Sequence, residues 1–158
     1  MANSQTMCTS FLGELMTATH NFGTSPIRAA STADTFKAAL YLTTATINAA
    51  TTAYTATGEV TGTGYSAGGV AVTNATSPSS TNSSATAGVG YWTPSASIVY
   101  TTVTLPTAFD CVLIYNSTQS NKAVSVHTFG SQSITAGTFT LTMPANTTTT
   151  ALLRLATT

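Results

Sequence analysis

A chain of 158 residues with four basic and four acidic side chains, 5% charged and formally neutral, has the length of one domain and an unusual surface. Its basic residues Arg28, Lys37, Lys122 and Arg154 are scattered, which argues against a nucleic-acid binder built on clustered positive charge. Threonine fills 37 positions among many serines, alanines and glycines, and this β-branched, turn-rich mixture points to an all-β protein whose low charge favours association with partners.

The N-terminal stretch MANSQTMCTSF lacks the basic and apolar segments of a secretory signal, and no apolar run approaches the ~20 residues that cross a bilayer, so no membrane role is expected. Next, FLGELMTATHNF sets Phe11, Leu12, Leu15, Met16 and Phe22 at mostly helical spacing behind Ser10 as N-cap, with Gly23 and Pro26 as the stop. The spacing predicts a short helix within an N-terminal arm, residues 1–33. Its apolar face would plug a sheet or a neighbouring subunit, and His20 near its end would complement the helix dipole.

Residues 34–158 form the second expected unit. DTFKAALYL alternates as a half-buried strand should, over about 34–43. A loop then leads towards a strand near 52–59. The segment GEVTGTGYSAGGVAV, Gly58–Val72, satisfies the loose dinucleotide fingerprint at Gly62-x-Gly64-x-x-Ala67, and Gly64-Tyr65-Ser66-Ala67-Gly68 matches the G-x-S-x-G of a nucleophile elbow. Both motifs need a helix directly after them. A short β-branched run and then a Ser/Thr/Asn stretch occupy that place instead, so the glycines read as a turn or bulge between strands.

Residues 73–90, TNATSPSSTNSSATAGVG, read as a long exposed loop. After it YWTPSASIVYTTVTL, CVLIYN, KAVSVHTFG, ITAGTFTLTMPA and ALLRLA are short apolar or alternating segments at roughly ten-residue spacing. That pattern predicts an antiparallel β-sandwich or jelly roll. CVLIYN, continuously apolar, belongs at the centre of a sheet, and NSTQSN should turn it into a hairpin with Lys122–Phe129. Phe139, Leu141 and Met143 alternate with threonines that face water or another protein.

Catalytic groups are sparse. Glu14, Asp34, Glu59, Asp110, His20 and His127 share no recognisable spacing, and His127 reads as a surface or interface histidine. Neither histidines nor cysteines pair at metal-ligand spacing, so no metal and no cofactor are expected. Cys8 and Cys111, far apart in sequence, read as two buried free thiols. No enzymatic activity is expected.

The strands DTFKAALYLTTATINAATTAYTATGEVTGTGYSAGG and AFDCVLIYNSTQSNKAVSVHTFGSQSITAGTFTLTMPAN together resemble a group of small Thr/Gly-rich virion proteins of tailed bacteriophages, over Met7 to Ala156. The resemblance implies a capsid decoration, or cement, protein at the capsid surface. Such a protein would be made in the host cytoplasm, would associate with itself as a homotrimer and would clamp the major capsid protein. The alternative is a tail or head fibre module that recognises a host surface glycan. Residues expected at an interface are Phe11, Leu12, Leu15 and Met16 in the arm, with Tyr65, Tyr91 and Trp92 flanking the loop, since aromatics are enriched in interface cores.

Overall fold

The computed structural model describes residues 3–8, 11, 15, 19–22, 33–73, 75–81 and 88–156. Its strands are β1 (Thr6–Met7), β2 (Phe36–Leu42), β3 (Val70–Val72), β4 (Ser79–Ser80), β5 (Val89–Trp92), β6 (Ile98–Asn116), β7 (Lys122–Leu141) and β8 (Leu153–Ala156). They form two antiparallel sheets, one of five strands in the order β1-β7-β6-β2-β3 and one of three in the order β4-β5-β8. Neither sheet closes into a barrel. The helix expected over Phe11–Phe22 lies largely outside the described residues.

CVLIYN takes the central place expected of it. Cys111–Asn116 is buried throughout, flanked by β2 on one side and β7 on the other. The hairpin with β7 turns through Ser117–Asn121, where Ser120 and Asn121 adopt left-handed backbone angles (φ 52 and 56) that these short polar residues tolerate.

Three expectations for the strands are corrected. β2 is covered on both faces, because Ala38, Ala39, Leu40 and Tyr41 are all buried, whereas its alternation predicted one solvated face. Alanines on both faces leave room for the segments that pack there. Four of the short segments expected from residue 91 onward contribute to β6 and β7, of 19 and 20 residues, whereas ALLRLA keeps a separate short strand, β8. Pro106 does not break β6, since the register shifts between Leu105 and Phe109 and a proline at a bulge forfeits no ladder bond. Further shifts accompany Thr102 (φ 53) and Ala136 (φ 47).

The strand expected near 52–59 is absent and is replaced by isolated bridges, Ala53 to Lys122 and Tyr41 to Glu59. A turn closed by the Glu59 amide on the Ala56 carbonyl, with Gly58 at φ 78, bends the chain too sharply for a ladder. The loop expected over 73–90 is structured at both ends: β4 pairs with β5, Ser79 opposite Tyr91 and Ser80 opposite Gly90. Asn74 and residues 82–87 lie outside the described residues.

One buried cluster joins the two sheets. Phe22 stacks on Phe36 of β2 at 4.5 Å between ring centroids and meets Trp92 of β5 at 4.7 Å, so an N-terminal residue wedges between the sheets. Cys8 and Phe11 belong to the same cluster, and both cysteines are buried and outside any disulfide, as expected.

Candidate functional site

The glycine-rich segment binds its own fold. Glu59 is buried, and its Oε1 accepts hydrogen bonds from the Tyr65 hydroxyl (2.6 Å) and the Gly68 amide (2.7 Å), while Oε2 accepts from the Tyr54 hydroxyl (2.6 Å). Three donors on one carboxylate compensate for its desolvation. The Tyr65 hydroxyl also accepts the Leu40 amide (3.1 Å), and the Tyr115 hydroxyl donates to the Gly68 carbonyl (2.8 Å). The loop that resembles a phosphate cradle is thereby fastened to β2 and β6.

Close backbone approach explains the glycines. A Cβ at Gly69 would overlap the Ala38 carbonyl oxygen of β2, and one at Gly62 would overlap that of Thr104 in β6; Gly69 also sits at φ 71. Ser66, the serine of the elbow-like motif, is exposed in a turn closed by the Gly69 amide on its carbonyl. The strand and helix that would make it a nucleophile are replaced by turns.

The tyrosines around Glu59 are driven towards their neutral form. Burial, with the Glu59 hydrogen bond and charge next, pushes Tyr54 up to about 12, and burial likewise raises Tyr41, Tyr65, Tyr100 and Tyr115. Each stays a hydrogen-bond donor at neutral pH.

A second polar cluster lies where the N-terminal segment meets the β6–β7 turn. Asp34 Oδ2 accepts from the Asn21 amide and from Asn116 Nδ2 (2.8 Å each), and Oδ1 accepts from Gln119 Nε2 (3.0 Å). Asn116 Nδ2 also lies 3.1 Å from His20 Nδ1, and Asn116 Oδ1 accepts the amides of Thr118 and Gln119. His20, Asn21, Asp34 and Asn116 are all buried, so the cluster ties the N-terminal segment to the end of the main sheet.

Beside it opens an apolar cavity of about 500 Å³, lined by Phe11, Leu15, Phe22, Tyr91, Trp92, Leu153 and Leu155, with His20 and Asn21 from the polar cluster and Ser77 and Ser79 at its rim. Four residues expected at an interface meet here. Phe11 is buried edge-on against His20 at 4.8 Å, Leu15 and Tyr91 are half-buried, and Trp92 is buried with its Nε1 donating to the Thr76 carbonyl (2.9 Å). Trp92 therefore packs in the core and shapes the wall. Tyr65 is elsewhere, on Glu59, and Leu12 and Met16 lie outside the described residues.

On β7, Ser125 Oγ lies 2.9 Å from His127 Nε2. Ser125 is buried where β7 pairs with β1, and burial pushes the His127 imidazole down to about 4, so it is neutral at physiological pH. His127 itself is half-buried. Asp110 accepts from Asn3 Nδ2 (2.6 Å). Among the described residues no three His, Cys, Asp or Glu side chains group as metal ligands.

Sequence reasoning missed both polar clusters. Tyr54, Glu59 and Tyr65 lie within twelve positions of one another, a local signal that could have flagged the first. Asp34 and Asn116 come together only by the pairing of β2 with β6.

The chain matches no protein-family model, no curated protein and no solved structure.

Proposed function

We propose that this protein is a structural component of a phage virion, a decoration protein that clamps neighbouring major capsid subunits and stabilises the head. The observation that carries the proposal is the use to which its chemistry-bearing side chains are put. Glu59, Asp34, Asp110 and His20 are each engaged in bonds that fasten one segment of the chain to another, and His127 bonds to Ser125 within β7. A neutral surface rich in threonine and serine is left to meet partners, and the two sheets sharing one core read as a small β-sandwich. Modest contacts repeated over many copies would resist internal pressure without strong affinity at any one site.

The test is quantitative staining of purified particles against the major capsid protein, with a label placed after Thr73 to locate the chain. Hundreds of copies over the head support decoration. A few copies confined to the tail or vertices overturn it.

The cavity favours a second reading, a fibre module that binds a host glycan. Tyr91 offers a half-buried ring beside the Ser77 and Ser79 hydroxyls, the combination that sugars recognise, although the wall is mainly apolar and Trp92 is buried. Glycan-array binding abolished by Tyr91→Ala would favour this reading over decoration.

A further inference from the structure

The outer edge of β7 carries β1 only at its inner end. Thr6 and Met7 pair with Val126 and Ser125, Cys8 donates its amide to the Val124 carbonyl, and Gln5 Oε1 accepts from Thr128 at the limit of this cover. From Gln132 to Leu141 the strand pairs with β6 on one side, and no described strand lies on the other. An edge of that length presents a row of unpaired amides and carbonyls, which proteins ordinarily blunt with lysine, proline or an inward charge. Ala123–Leu141 contains none of Lys, Arg, Asp, Glu or Pro, and the one blunting device is the bulge at Ala136.

We propose that this edge, Gln132–Leu141, is an interface at which a second copy of the chain adds the same strand in antiparallel register about a twofold axis. Three features favour a second copy. In an isologous contact residue i meets residue j while j meets i, so a run of one charge would face itself across the axis, and this stretch carries no charge. The same edge already accepts an antiparallel strand within the fold, β1. Finally, Phe139 packs on Phe109 and Phe129 at 5.1 and 5.2 Å, and with Ile134 and Leu141 it remains half-buried, a stripe that a continued sheet would extend. Such a contact would be twofold, unlike the homotrimer that the virion resemblance implies, because a single edge pairs antiparallel with itself only about a twofold.

The inference does not rest on the virion proposal and is tested in solution. Sedimentation of the full chain over a concentration series should show a monomer–dimer equilibrium. Ser133→Lys, Thr135→Lys and Thr138→Lys, combined at exposed positions, should weaken it by about tenfold or more through like-charge repulsion with unchanged far-ultraviolet circular dichroism. Mixing that variant with its Glu counterpart should restore a one-to-one dimer. Hydrogen exchange on the unmodified chain gives a second readout, with amides of 132–141 gaining protection as concentration rises. A chain that stays monomeric, or a dimer indifferent to the substitutions with no gain of protection at 132–141, overturns the proposal. Either result leaves the location of the protein on particles to be decided separately.

Discussion

The Gly68 amide donates a 2.7 Å hydrogen bond to Glu59 Oε1, across nine positions of a loop that otherwise looks built for a phosphate. The anion that the loop holds is the protein's own side chain. Because Tyr54 and Tyr65 donate to the same carboxylate, one residue organises the loop from Tyr54 to Gly69 against β2.

Glu59→Ala should therefore destabilise the fold by about 3 kcal/mol, since the hydroxyls of two half-buried tyrosines and a buried amide lose their acceptor. Glu59→Gln should cost about 1 kcal/mol, because Oε1 is kept and the Tyr54 hydroxyl can turn to accept from the new amide. Urea unfolding of the three proteins checks the order. Equal losses for both variants would show that charge, rather than acceptor count, holds the loop.

Gly69→Ala should be among the most damaging single changes, because its Cβ would overlap the Ala38 carbonyl at a positive φ. Gly130→Ala should be neutral or stabilising by about 0.5 kcal/mol, since nothing lies within 4 Å of its added methyl and the unfolded chain loses freedom. Thermal melting of the pair gives the comparison directly.

Acid should weaken the fold through His127. Burial holds its folded pKa at about 4, below the unfolded 6.5, so the folded state binds fewer protons. The stability this confers is complete above pH 6.5 and is lost as pH falls towards 4. His127→Gln should flatten that part of the unfolding profile, and a slope unchanged by the substitution would place the acid sensitivity elsewhere.

At the alkaline end the sign is reversed. Tyr54 titrates at about 12 in the fold against 10 in the unfolded chain, and Tyr41, Tyr65, Tyr100 and Tyr115 are raised as well. Stability should be intact below pH 10 and fall as pH rises from 10 towards 12. In a Tyr91→Phe background, which leaves these five rings, absorbance of tyrosinate should appear together with unfolding, not before it.

Thiol chemistry should be silent in the native state. Burial, with the nearby Asp110 charge, pushes Cys111 up to about 12, and Cys8 is buried as well. A chromogenic disulfide reagent should react with neither thiol at neutral pH, and with both once the chain is denatured. Rapid reaction of one thiol in the native protein would show that its segment opens locally.

The strand content of this protein is written in local pattern. CVLIYN announces a central strand because six consecutive buried positions need cover on both faces, and NSTQSN announces the turn after it because short polar residues tolerate left-handed angles. Phe11, Leu15, Tyr91 and Trp92 stand out as large apolar groups in a chain of small ones, and they do converge on one cavity. Tertiary structure decided the rest. Whether β2 has a wet face depends on what packs over Ala39 and Tyr41, and whether Pro106 ends a strand depends on a bulge in its partner ladder. Asp34 meets Asn116 only because β2 lies antiparallel to β6, and the glycines of Gly58–Val72 serve close approach to strand carbonyls that lie dozens of positions away. Periodicity and turn chemistry act between neighbours along the chain, whereas burial on a second face, the partner of a buried carboxylate and the approach of one backbone to another are set by contacts that exist only once the chain has folded.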